Sequence, residues 1–198
     1  MPSNKFPVPV LQNSIKVTNE PPKGLKANLM GSYNDISEKS YNECEKGPEF
    51  KKLLFSLGFF HAVILERRKY GAIGWNIPYE WMNSDFETSL MQLKMYLDEQ
   101  PVIPYKTLNY LIAEINYGGR VTDDKDVRLI TALLLSYLNE DVMAGPYNFS
   151  SSGVYHSPVE LELPDVKKYI SSLPLEDDPE IYGLHRNANI TFQQKNMK

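Results

Sequence analysis

The three histidines, His61, His156 and His185, lie far apart in the sequence. Proton transfer or metal ligation by imidazole needs a second group within hydrogen-bond or coordination reach, and no paired-histidine or HExxH spacing supplies one. His61 sits in an apolar run and reads as a core residue; His156 and His185 read as loop residues. Two carboxylate pairs, Asp123-Asp124 and Asp177-Asp178, have the composition of general acids or metal ligands. Asp123 and Asp124 stand at a predicted helix N-terminus, where unpaired N–H groups and the macrodipole favour a carboxylate. Glu176-Asp177-Asp178 reads as solvated. Cys44 is the single cysteine, which excludes an internal disulfide or a thiolate metal cage and points to a reducing intracellular compartment. No GxxxxGK[ST] or GxGxxG occurs, so no phosphate cradle of either kind is encoded. No catalytic, cofactor-binding or metal-ligating residue is therefore assigned.

Arg120 offers contact chemistry. It stands at the apex of NYGGRVTDDKD, residues 116 to 126, a helix stop fused to a helix start. Gly118 and Gly119 suit the position just past a helix C-terminus because glycine takes positive φ without a Cβ clash. Thr122 and Asp123 have side-chain oxygens able to cap the next helix. Arg120 can bridge C-terminal carbonyls and N-terminal carboxylates, or it can reach a neighbouring subunit or module.

These residues need elements to hold them. A chain of 198 residues with 42% hydrophobic content makes one domain, or one domain and a fragment, with a real core. Its net charge of −4 argues against a nucleic-acid groove. The run from Leu53 to Leu65 is too short to span a bilayer, and Pro2, Pro7 and Pro9 replace the apolar centre of a signal peptide.

Residues 1 to 24 read as extended and proline-rich, with Ser14 to Thr18 alternating like a short strand. A helix follows over Leu25 to Tyr33. Ser40 with Glu43 suggests a capping box, and the longest helix runs from Glu49 to Tyr70, apolar on more than one face and therefore central. Gly71 ends it, and the loop Gly74-Trp75-Asn76-Ile77-Pro78-Tyr79 follows. Ser84 with Glu87 predicts a second capping box ahead of the stripe Phe86, Leu90, Leu93 and Leu97. Two further helices carry Leu108, Leu111, Ile112 and Ile115, and then Val127, Ile130, Leu134 and Leu138. Beyond Asn139 lies a Ser, Gly and Pro-rich stretch, then a helix over Pro164 to Leu173 and an irregular acidic tail. The fold class is mainly α, a helical bundle with a short N-terminal extended or β segment.

Several blocks carry a family likeness: FPVPVLQNSIKVTNEPPKGLKANL from Phe6 to Leu29, GWNIPY from Gly74 to Tyr79, Pro104 to Tyr110, the NYGGRVTDDKD junction, Leu173-Pro174-Leu175, and PEIYGLH from Pro179 to His185. In this order they resemble the dynein heavy chains, in the C-terminal part of the sixth AAA+ module including its helical lid. The resemblance implies that residues 1–23 end the large α/β subdomain, that 24–173 form the helical AAA+ lid, and that 174–198 lead towards a C-terminal domain. It implies a non-catalytic structural piece of an ATP-driven, minus-end-directed microtubule motor, passing conformational change between ring modules, with ATP and Mg bound by other modules. Its partners would be the neighbouring AAA+ modules and C-terminal domain of the same heavy chain and, through the parent, dynein subunits and microtubules. Nucleic acid and membrane are not among them.

The wording of GWNIPY and VTDDKD is nearer axonemal than cytoplasmic heavy chains, which implies a cytoskeletal location in a cilium or flagellum. Arg120, Gly118, Gly119, Asp123 and Trp75 become the structural or inter-module candidates. Lys23 and Lys26 fall where active AAA+ modules place a nucleotide-sensing arginine, and Gly31 stands where many members carry arginine; neither position is assigned a contact. The alternative is a free-standing helical interaction module with a lid-like fold and no motor. An independent enzyme lacks any supporting constellation.

Overall fold

The structure, a computed structural model, describes residues 7–15, 22–159 and 161–196. Every residue from Leu53 to Ile64 is buried, which requires neighbours on all sides of the helix that carries them. That helix, α4 (Gly47–Arg67), starts with Pro48 in its first turn, where a missing N–H costs nothing. Around it pack α2 (Leu25–Asn34), α5 (Asn83–Glu99) and α7 (Asp124–Tyr137), while α8 (Leu163–Ser172) packs on α2. Gly58 makes the α2 contact close: a Cβ there would lie 3.3 Å from Leu29 Cδ1. The result is the helical bundle that the apolar stripes predict. No helix of the described residues is long and apolar enough to cross a membrane.

Several local expectations are not met. Within the proline-rich opening, α1 (Val8–Asn13) is helical instead of extended, because Pro9 falls in the first turn where it is tolerated. Ser14 is extended, but residues 16–18 of the expected strand lie outside the described residues. Among the described residues the only β pairing is an isolated antiparallel bridge between Asn148 and His156.

Neither expected capping box forms. Ser37, not Ser40, caps α3 (Glu38–Asn42), its hydroxyl accepting the Ser40 N–H at 3.2 Å. α5 begins ahead of Ser84, with Asp85 Oδ2 accepting the Met82 N–H at 2.8 Å. Glu87 instead accepts from the Asn83 side chain at 3.0 Å. In each case the helix starts earlier than expected, and a different side chain accepts one of the first amides.

α4 tightens into a 3₁₀ segment, Arg68–Ile73, and Gly71 turns the chain at φ 59°. α6 (Tyr105–Tyr110) widens into a π-helical segment, Leu111–Asn116. That widening rotates the expected stripe: Leu108 and Ile112 are buried, whereas Ile115 is 51% exposed. The Ser, Gly and Pro-rich stretch returns on itself around the Asn148–His156 bridge and sends Phe149 inward to stack on Phe59 at 4.7 Å between ring centroids. The tail is not irregular. It forms a 3₁₀ turn, Pro179–Tyr182, and α9 (Ala188–Asn196), and Ile181 and Tyr182 join the core.

Candidate functional site

The junction between the π-helical segment and α7 is built on a close approach. Tyr117 N–H bonds back to Ile112 O at 3.0 Å, the five-residue spacing of a π turn. The same geometry brings the Ala113 carbonyl oxygen to 2.3 Å from where a Cβ of Gly118 would stand. Gly118 is therefore required for space. Neither Gly118 nor Gly119 has positive φ, contrary to the expected helix-stop geometry, and a Cβ on Gly119 would meet open space. The 3₁₀ turn Gly118–Arg120 satisfies the chain locally instead.

Asp123 is the N-cap of α7 and accepts from the Lys125 and Asp126 N–H groups at 2.9 and 3.1 Å. It also accepts from the Asn76 side chain at 3.0 Å, and these hydrogen bonds, Asn76 first, hold its carboxyl below the usual range. Asp126, 2% exposed, turns both oxygens onto the GWNIPY loop, accepting from Asn76 N–H at 3.1 Å and Ile77 N–H at 3.3 Å. Tyr79 closes the contact by accepting the Asp123 N–H through its hydroxyl at 3.2 Å. Thr122 is not the cap.

Arg120 bonds to Asp85 Oδ2 and to the Glu80 carbonyl, the latter at 3.3 Å. It thus ties the junction to the N-terminus of a third helix, α5, rather than joining the two helix ends that flank it. Trp81 completes the tie, donating from Nε1 to Tyr117 O at 3.0 Å.

Trp75 is buried against Trp81, with ring centroids 4.8 Å apart, and the Arg67 guanidinium lies 5.4 Å from its ring centre. Arg67 is itself buried and has no carboxylate at ion-pair distance among the described residues. Its Nε donates to Gly74 O at 3.1 Å and an η nitrogen donates to Tyr182 O. Burial lowers its pKa to about 10, which leaves it a cation at neutral pH. Arg67, Asp85 and Asp126 were not singled out by sequence reasoning. An aspartate three residues inside each helix start was the available signal.

The histidines do not converge. His61 is buried, its Nδ1 2.9 Å from the Tyr117 hydroxyl, and burial pushes its pKa down to about 4 against a smaller opposing pull from Asp85. His156 Nδ1 lies 3.3 Å from the Tyr169 hydroxyl, and His185 Nδ1 accepts the Asn187 N–H at 3.2 Å. Cys44 is buried beside Asp98, and burial first, then that carboxylate, pushes the thiol up to about 11. Among the described residues no three His, Cys, Asp or Glu side chains gather as a metal site.

The second acidic pair differs from expectation, because Asp177 is buried between exposed Glu176 and Asp178. Its Oδ2 accepts the Leu25 N–H at 3.0 Å and the Tyr182 hydroxyl at 2.6 Å. Lys26 Nζ donates to Ser171 O at 2.5 Å, while Lys23 lines an open cleft of about 560 Å³ with Arg68 and Phe192.

Polar side chains thus hold loops and helix ends to one another within a helical bundle. Residues 50–188 match the family described as the dynein heavy chain AAA lid domain. The chain is 54% identical over 195 residues to dynein axonemal heavy chain 1 of Homo sapiens, a match covering 98% of this chain and 5% of that protein. It is 47% identical to dynein axonemal heavy chain 6 of Homo sapiens over 195 residues, covering 98% of this chain and 5% of the relative. The dynein-1-beta heavy chain of the flagellar inner arm I1 complex of Chlamydomonas reinhardtii is 47% identical over 192 residues, covering 96% of this chain and 4% of the relative. The chain belongs to the dynein heavy chain family, as its motifs imply, and spans about 5% of the length of such relatives.

Proposed function

We propose that this chain is the non-catalytic helical lid of the sixth AAA+ module of an axonemal dynein motor ring, passing conformational change between ring modules. The observation that supports this most is the junction itself. Asp123, Asp126 and Arg120 bind the GWNIPY loop and the starts of α5 and α7 into one unit, so that a displacement at one point is carried to the others.

In this reading residues 1–23 close the large subdomain, 24–173 are the lid, and the remainder leads towards the C-terminal domain. ATP and Mg are bound by other modules of the parent chain, whose minus-end-directed movement on microtubules takes place in a cilium or flagellum. The partners are the adjacent modules and C-terminal domain of the same heavy chain, and the dynein subunits that the parent assembles with. Neither nucleic acid nor membrane is a partner.

Two measurements test the reading. Calorimetric titration of the 198-residue chain with Mg·ATP should show no saturable binding, and saturable binding would overturn the non-catalytic assignment. The encoding gene should carry phosphate loops upstream and stalk-like heptads; their absence would sink the motor reading and leave a free-standing helical interaction module.

A further inference from the structure

Asp177 takes one of its partners from 152 residues away in the chain. Its Oδ2 takes the Leu25 N–H, the first amide of α2, together with the Tyr182 hydroxyl of the tail. Lys69 Nζ stands 3.6 Å from the same oxygen and 3.5 Å from Glu66 Oε2, and lies over the Tyr182 ring at 4.9 Å. Glu66 Oε1 accepts from Asn28 Nδ2 at 2.8 Å, and that amide also donates to Gly24 O at 2.9 Å. The polar groups therefore form a closed circuit, from the Gly24 carbonyl through Asn28, Glu66, Lys69 and Asp177 back to the Leu25 amide.

Gly24 is the turn by which the chain comes into the bundle. Its φ of 90° favours glycine strongly, and a Cβ there would stand 3.7 Å from both Asp177 Oδ2 and Leu175 O. The tail thus lies directly against the Gly24 turn. Beyond Asp177 the tail is held by Arg67 at the Tyr182 carbonyl, by Tyr137 at Ile181 O at 3.3 Å, and by Tyr70 at Asn189 Oδ1 at 3.0 Å.

We propose that Asp177 is a latch that joins the tail to the Gly24 turn, so that the segments by which the chain enters and leaves the bundle open and close together. The latch deepens the lid reading and rests on it in one respect: motion arriving before Gly24 is handed to the residues after His185 through this carboxylate. Losing the carboxylate strands two buried donors, the Leu25 amide and the Tyr182 hydroxyl, while Lys69, at the edge of the open cleft, keeps Glu66 as its counter-charge.

Amide hydrogen exchange of the 198-residue chain, resolved by mass spectrometry, tests the latch. Asp177→Ala should speed exchange about tenfold or more in both α2's first turn and residues 175–190, with the amides of α4 and α7 unchanged. Asp177→Asn, which keeps an acceptor for Leu25 but loses the charge facing Lys69, should give a smaller rise in the same two segments. Tyr182→Phe, which removes only a hydroxyl and preserves the core, should also raise both if the alanine variant fails to fold. Acceleration confined to one segment, or spread uniformly over the chain, overturns the latch. The same Asp177→Asn change in the parent motor should lower the movement obtained per ATP hydrolysed. Coupled opening in the isolated chain with an unaltered motor keeps the latch and removes the lid's transmitting role, so the two failures are distinguishable.

Discussion

Gly118 and Gly119 are adjacent and equally short of a side chain, yet their surroundings differ completely. A Cβ on Gly118 would press on the Ala113 carbonyl at 2.3 Å, a backbone atom that cannot swing aside, whereas a Cβ on Gly119 meets nothing within 4 Å. Gly118→Ala should therefore lose more than about 2 kcal/mol of unfolding free energy in urea, and Gly119→Ala should stay within about 0.5 kcal/mol. Arg120→Ala removes a charge-assisted bond to a mostly buried carboxylate and should cost about 1 to 2 kcal/mol by the same measurement. An unchanged denaturation midpoint would remove Arg120 from the structural tie and leave it free for a neighbouring module.

His61 carries a pH dependence. Its folded pKa of about 4 lies below the ordinary 6.5, so the unfolded chain binds a proton that the folded chain refuses. The neutral-histidine contribution is fully present above pH 6.5 and is lost as pH falls towards 4, by up to about 3 kcal/mol in total. Urea midpoints measured between pH 7 and 4 should fall across that window, and His61→Gln should flatten the profile.

At the scale of elements, periodicity was enough to place helices over the core stripes, because burying one face of a 3.6-residue repeat is a local requirement. Helix starts were less legible. A run such as Asn83-Ser84-Asp85 offers several acceptors for the first amides of a helix, and only the folded chain shows that Asp85 is the one used, between buried Trp81 and Phe86. The π segment was invisible for a related reason: a wider turn leaves no compositional mark, and it shows only in the folded chain, as the Tyr117 to Ile112 bond and the exposure of Ile115.

Asp126 shows the cost of such hidden assignments. Given no role by the sequence, it satisfies two loop amides 49 and 50 residues away. Asp126→Ala should strand both, cost about 2 to 4 kcal/mol, and raise exchange of the Asn76 and Ile77 amides. A loss below about 0.5 kcal/mol would mean that the GWNIPY loop is held by its aromatics alone.

At the scale of the whole molecule, the tail is part of the core rather than an appendage. Ile181 and Tyr182 are buried, and the Tyr182 carbonyl is one of the acceptors that let Arg67 stay buried without a carboxylate partner. Ending the chain after Leu173 should lower the melting temperature by about 10 °C or more, since it uncovers apolar surface and leaves a buried cation short of an acceptor. It should also promote association, visible by light scattering. An unaltered, monomeric truncation would show that the tail only rests on the bundle.

Composition, spacing and motif wording alone were sufficient for a helical bundle, its central helix, its glycine junction and its family, because each rests on neighbours within a few turns of the chain or on ordered blocks of residues. The tertiary structure alone decided that Gly118 is needed for space rather than for φ, that Arg120 ties the junction to α5, that Asp126 holds a distant loop, and that Asp177 is buried instead of solvated. Those choices depend on which oxygen meets which amide across tens or hundreds of residues, and a carboxylate carries no mark of its partner until the bundle closes around it.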